Sequence, residues 1–229
     1  MSEPAANQGP GDVRMCNAWK SFDNGRIAVL KGVDLDVRRG EMLALWGVSG
    51  SGKSTLLHLV GGLDIPDRGE VSVSGISTGT EPARLAIRRH QVGFVFQLHN
   101  LIPDLTASEN ILAPSIASGL PRAVARERLV ALLEASGLSH RRDHRIQDMS
   151  GGERQRTAIC RALINKPAIL LADEPTGALD EQTGEIIFGL FREMAKREGV
   201  TVILATHERK FAEGCDRILR MREGSLHAL

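Results

Sequence analysis

The sequence predicts an α/β fold with a helical segment inserted into it. Three observations carry the prediction. Residues 42–46 (MLALW), 168–172 (AILLA) and 200–205 (VTVILA) are continuous apolar runs, the pattern of strands buried on both faces of a parallel sheet. A glycine-rich loop, residues 47–52, joins the first run to a helical pattern. From about residue 98 to 165 strand signals vanish, and apolar residues recur at helical spacing instead.

Residues 1 to about 12 are polar and small, which predicts a disordered tail. They have neither the basic start nor the apolar stretch of a signal peptide. Short strands are expected around 13–16 and 33–37. Arg38, Arg39 and Gly40 turn the chain into the run at 42–46. A helix is expected over 54–60, stopped by Gly61 and Gly62. Residues 70–74 alternate like a strand with one exposed face, and 92–96 form another apolar run. In the inserted segment, residues 122–135 place Val124, Leu129, Leu132 and Leu133 on one helical face. Between the last two apolar strands runs an amphipathic helix carrying Ile186, Ile187, Leu190, Phe191 and Met194. Residues 222–225 (REGS) make a closing turn. Strands alternating with helices give an α/β core. The pattern occurs once, so residues 13–229 read as a single cassette with a helical subdomain at about 98–165.

The chain has 229 residues, enough to bury a sizeable core. Its formal net charge of +1 argues against a nucleic-acid binder working by phosphate neutralisation. The longest apolar runs are too short to span a bilayer. Cys16, Cys160 and Cys215 form no CxxC and suit reduced thiols in cytoplasm. His140 and His144 lie four apart, but no carboxylate or cysteine cluster accompanies them, so they read as part of a solvated basic segment.

Residues 47–54 (GVSGSGKS) fit a phosphate-binding loop, G-x-x-x-x-G-K-[ST], after a strand and before a helix. Gly47, Gly50 and Gly52, with Ser49 and Ser51, let backbone N–H groups close around phosphate oxygens. The helix N-terminus adds a positive partial charge. Lys53 can reach the outer phosphates and Ser54 can hold Mg²⁺.

The run at 168–172 delivers Asp173 and Glu174 at its carboxyl end, where ligands sit in open α/β sheets. Asp173 suits the Mg²⁺ shell. Glu174 is placed to polarise a water, which favours hydrolysis over transfer to a second substrate. Ser150, Gly151 and Gly152 lead into another helix, so they form a second anion site without a nucleophile or base. One complete phosphate cradle already exists, and the second is best explained as acting on another chain.

Residues 47–55 (GVSGSGKST), Gln97, residues 149–156 (MSGGERQR), 172–176 (ADEPT), 177–180 (GALD) and Thr206-His207 occur in that order. Together they resemble the ABC ATPase cassette over about residues 13 to 226. The resemblance implies a RecA-like P-loop NTPase core with an antiparallel β subdomain and an inserted α-helical subdomain. It implies that Lys53, Ser54 and Thr55 belong to the nucleotide loop, that Asp173 and Gln97 reach Mg²⁺, and that Glu174 is the catalytic base. His207 resembles the switch histidine and Gln97 the residue that senses the membrane subunit. Ser150, Gly151 and Gly152 resemble the signature loop that closes on a partner's ATP, and Asp180 the aspartate at the dimer seam. Met149 stands where the family usually has leucine, a volume-conserving change. The family stacks adenine on an aromatic residue; this chain has no tyrosine, Phe22 sits at the matching place, and Trp19 is nearby.

Only about fifty residues separate Gln97 from Ser150, which leaves no room for the coiled-coil arm of chromosome-maintenance ATPases. The single cassette is unlike the paired cassettes of ribosome-acting proteins. Residues 57–66 (LHLVGGLDIP), 98–111 (LHNLIPDLTASENI) and 173–180 (DEPTGALD) look like the lipoprotein-releasing (LolD-like) and macrolide-efflux (MacB-like) ATPases. That implies a homodimer on the cytoplasmic face of a bacterial inner membrane, driving transmembrane permease subunits of the MacB or LolC–LolE kind. The apolar residues Leu98, Leu101, Ile102 and Pro103 are expected to line the docking groove for that partner, the alternative being that they belong to the core of the helical subdomain. The alternative from a different class is an ABC ATPase that controls a cell-wall hydrolase through a membrane partner.

Overall fold

The computed structural model describes residues 12–229. The expected disordered tail lies outside the described residues except for Asp12, which is tied in on two sides. Its carbonyl accepts the Ser74 N–H at 2.7 Å, and its carboxylate accepts the Thr201 hydroxyl at 2.5 Å.

β1 (Val13–Phe22) and β2 (Ile27–Val37) form a hairpin. β3 (Met42–Trp46) runs through the glycine loop into α1 (Lys53–Val60). β4 (Arg68–Val73) and β5 (Ile76–Ser77) follow, then α2 (Glu81–Ala86), a π-helical turn (Ile87–Gln91) and β6 (Val92–Val95). The helical insert holds α3 (Ala107–Ser118), α4 (Arg122–Ala135) and α5 (Gly151–Leu163). β7 (Ile169–Asp173), α6 (Glu181–Glu198), β8 (Thr201–Thr206), α7 (Arg209–Ala212), β9 (Arg217–Arg222) and β10 (Ser225–Ala228) complete the chain.

The strands make two sheets. An antiparallel sheet has the order β2-β1-β4-β5, and the other has the order β10-β9-β3-β8-β7-β6. In the second sheet β9, β3, β8, β7 and β6 run parallel, and β10 hairpins back on β9. β3, β7 and β8 are buried along their whole length apart from the ends of β3 and β7, which is why they read as unbroken apolar runs. α1 lies between the sheets with Leu56, Leu57, Leu59 and Val60 all buried, so one apolar core joins both layers. The other core lies under the helical insert, where Ile159 and Leu163 of α5 meet Phe191 and Met194 of α6.

Four elements differ from the sequence reading for local reasons. β1 is ten residues long rather than four, because Asn17 takes a positive φ of 46° and the ladder slips between Met15 and Ala18. That bulge breaks the alternation by which a strand is recognised. α3 carries Pro114 inside it, which masks a helix that is otherwise well started by a capping box between Thr106 and Glu109. β9 and β10 flank the expected closing turn, although the exposed Arg220 and Arg222 of β9 and the short SLHA stretch of β10 give no apolar run.

α5 approaches β6 so closely that a Cβ on Gly93 would fall 2.2 Å from the Ala162 carbonyl oxygen. The contact is backbone on backbone, so neither side yields by a rotamer change. Gly93→Ala is expected to destabilise by about 1–3 kcal/mol, a fall in Tm of roughly 2–12 °C. A melting curve coincident with that of the unchanged protein would contradict this packing.

Candidate functional site

The parallel register brings three strand ends to one edge of the sheet. Trp46 pairs with Thr206, and Asp173 pairs with Ala205. The residues that follow these positions in the chain are Gly47, His207 and Glu174.

The glycine loop is seated by contacts that exclude side chains. A Cβ on Gly47 would lie 2.4 Å from the Met221 carbonyl oxygen, and one on Gly52 would lie 2.9 Å from the Met221 methyl group. Gly50 and Gly52 have φ of 76° and 109°, which L side chains rarely adopt. Gly52 is also the N-cap of α1, so the free amides of that helix open into the loop. Lys53 is buried, and its ammonium donates to the carbonyls of Gly47 at 2.8 Å and Val48 at 3.1 Å. The same ammonium lies 3.5 Å from Glu174 Oε1.

Glu174 is held in a left-handed conformation, φ 46°, with its N–H donating to the Ala205 carbonyl at 2.9 Å. A non-glycine residue there is strained by about 1–3 kcal/mol. Its other carboxylate oxygen accepts from His207 Nδ1 at 3.0 Å, a pairing that assigns the ring hydrogen to Nδ1. Burial pushes the Asp173 carboxyl above its ordinary value, and the neighbouring Glu174 charge adds to this. A hydrogen bond with Ser54 and the charges of His58 and Lys53 work the other way.

Ser49, Gly50, Gly52, Lys53, Ser54, Thr55, Gln97, Asp173 and Glu174 line one cavity of about 390 Å³. Val29 completes its wall. Val29 gave no signal in the sequence, since an aliphatic residue in a strand has many duties. The Gln97 amide also abuts Gly177, whose Cβ would lie 3.1 Å from Nε2. Ser54, Asp173 and Gln97 thus offer oxygen donors to one space, the set a hard divalent cation takes.

Ser150, Gly151 and Gly152 do not line this cavity. Ser150 caps α5 through a capping box: its hydroxyl accepts the Glu153 N–H at 3.3 Å, and its own N–H donates to Glu153 Oε2 at 2.8 Å. Burial works to raise the Glu153 carboxyl, but the Ser150 N–H and hydroxyl and the Arg141 guanidinium outweigh it and bring it down to about 2. The loop abuts the start of α6: a Cβ on Gly151 would lie 3.3 Å from Leu179, and one on Gly152 3.1 Å from Thr183. Asp180 caps α6 by accepting the Thr183 N–H at 3.0 Å.

Phe22 is exposed at the end of β1, with the Lys20 ammonium 5.4 Å from its ring centre. The Trp19 indole instead donates to Asn17 Oδ1 and packs on Gly32. In the expected docking stretch Leu98 and Ile102 are exposed, while Leu101 is partly buried and packs against the core. Wall residues that lie outside that stretch are Leu63, Phe94, Phe96 and Pro114, which line a hollow of about 370 Å³ beside it.

A family model described as ABC transporter matches residues 30–177. The chain belongs to that family. It is similar to the lipoprotein-releasing system ATP-binding protein LolD of Xanthomonas campestris pv. campestris, 43% identical over all of this chain and 98% of the relative. It is 47% identical to LolD 1 of Rhodospirillum rubrum over 94% of this chain and 97% of the relative. Its fold matches an ATP-binding cassette solved as a dimer bound to ADP and Pi, with a TM-score of 0.84 and 39% identity over 94% and 96% of the two chains. This ABC chain is an ATPase, and its RecA-like core, antiparallel sheet and helical insert are those the resemblance implied. Among its described residues no helix is long and apolar enough to cross a membrane.

Proposed function

We propose that this ABC ATPase powers lipoprotein release or the closely related export of peptides, antibiotics or other hydrophobic compounds. It works as a homodimer enclosing two ATP molecules. The carrying observation is the division of the phosphate machinery. One cavity holds the nucleotide loop and Glu174, while the Ser150 helix N-terminus opens elsewhere on the same chain. A twofold rotation lets each chain's Ser150, Gly151 and Gly152 meet the γ-phosphate held by the other, and the contact closes on itself. The solved dimeric relative with ADP and Pi supports this arrangement, and the LolD relatives support the release function.

In this reading Lys53 and the loop amides hold the β and γ phosphates, and Ser54, Asp173 and Gln97 hold Mg²⁺, which offsets phosphate charge. Glu174 takes the proton of the attacking water. His207 steadies the Glu174 carboxylate and faces the γ-phosphate. Phe22 stacks on adenine, since it is exposed and free of the contacts that occupy Trp19. The membrane partners are permease subunits of the MacB or LolC–LolE kind, at the cytoplasmic face of the bacterial inner membrane. They seat a helix in the hollow walled by Leu63, Phe94 and Phe96.

Light scattering after size exclusion tests the dimer. With a non-hydrolysable ATP analogue and Mg²⁺ the unchanged protein is expected to run as a dimer. Ser150→Arg should stay monomeric while binding the analogue within about threefold of normal, because it blocks only the contact made to the other chain. An analogue-dependent dimer that survives Ser150→Arg would remove the signature loop from the contact.

A further inference from the structure

We infer that Trp46 is a positioning residue for ATP hydrolysis, acting through the backbone of His207. The inference rests on the reading of Glu174 and His207 given above. Trp46 is the last residue of β3, immediately before the glycine loop. Its indole Nε1 donates to the His207 carbonyl at 3.1 Å. The N–H of the same peptide unit, that of Glu208, donates to the Thr206 hydroxyl at 3.0 Å. The peptide that follows His207 is therefore held at both of its polar ends, which sets the backbone direction from which the imidazole projects.

That direction matters because little else constrains the ring. The His207 side chain is 53% exposed, and its recorded partner is Glu174 Oε2 at 3.0 Å. A side chain with so few neighbours takes its place from its backbone. Glu208 adds a second tie, accepting the hydroxyl of buried Thr176 at 3.3 Å, so the loops after β7 and β8 are joined beyond their last ladder pair.

The indole is itself held. The Arg220 guanidinium lies 5.3 Å and that of Arg209 6.0 Å from its ring. Arg209 begins α7 two residues after His207, and Arg220 pairs with Trp46 across the β3–β9 ladder. Arg209 is braced in turn by Glu213 at 2.8 Å. Trp46 thus links the strand that launches the phosphate loop to the segment carrying the switch histidine. An aliphatic residue could still cover the strand end, but only a donor can hold the carbonyl.

The test removes the donor and keeps the ring. Trp46→Phe does this, and benzothienylalanine at position 46 replaces only the N–H by sulfur, which covers the case in which the phenylalanine variant melts lower. Both are made in the unchanged protein and with His207→Ala, and ATPase rates are measured over a range of ATP. Loss of one hydrogen bond is expected to lower kcat about 3- to 10-fold, with KM for ATP within about twofold and Tm unchanged for the sulfur analogue. With His207→Ala in place, the Trp46 change should lower kcat no further. If His207→Ala keeps the normal kcat, the reading of the site fails and the inference fails with it. If His207→Ala is impaired but both Trp46 replacements turn over normally, the Trp46 assignment alone is overturned. It is also overturned if they lower kcat equally in both backgrounds, or raise KM without changing kcat.

Discussion

Glu174→Gln is expected to lower ATP turnover by about 10²–10⁴-fold, the usual worth of a positioned general base, while ATP still binds. Glutamine matches glutamate in length and can accept the His207 hydrogen with its amide oxygen, so the 3.0 Å contact has a substitute. The backbone at φ 46° is equally open to both residues, and the N–H still reaches the Ala205 carbonyl. What disappears is the negative charge 3.5 Å from the Lys53 ammonium and with it the proton acceptor. Binding should be normal or tighter, since a carboxylate close to the phosphates repels them. Phosphate release and equilibrium binding of labelled ATP on the same preparation separate the two effects. Turnover within about tenfold of normal would mean that another group takes the proton.

The parts of this site that the sequence made legible are those built by adjacent residues. Lys53 and Ser54 follow the glycine loop directly, and Asp173 and Glu174 stand side by side at a strand end, so spacing along the chain is also spacing in space. The helix start at Ser150, Gly151 and Gly152 is local in the same way, whereas its capping box with Glu153 came from the structure. Trp46 was legible as the end of a strand but not as a partner of His207, because that contact depends on the register between β3 and β8. Val29 reaches the cavity from the antiparallel sheet, and Arg141 reaches Glu153 from a turn before α5. No local pattern encodes either approach. The packing of Leu101 on the core was not legible, because an apolar residue in a loop looks the same whether it faces a partner or the core. Leu98 and Ile102 on either side of it are exposed, and the Asn110 side chain clasps the backbone of Ile102 at 2.7 and 3.0 Å.

Lys53→Ala is expected to weaken ATP binding about 10- to 100-fold and to lower turnover by at least about 10²–10³-fold beyond that. The two losses have separate causes. In binding, the ammonium is the cation that the loop itself supplies to the phosphates, and charge-assisted contacts are the strong ones. It is buried and already aimed into the loop by the Gly47 and Val48 carbonyls, so it loses little freedom on meeting a nucleotide. In turnover, the same ammonium lies between the phosphate loop and Glu174, and its loss leaves Asp173 and Glu174 with less opposing charge just where phosphate oxygens must approach. Alanine also leaves two loop carbonyls without their donor, so the loop should loosen even without nucleotide. Lys53→Arg separates charge from shape: it keeps the cation but spreads it over a planar fork that does not fit a point contact. It should recover part of the binding and little of the turnover. Titration with a fluorescent ATP analogue gives the first quantity and phosphate release the second. Unchanged turnover in Lys53→Ala would remove the nucleotide from this loop altogether.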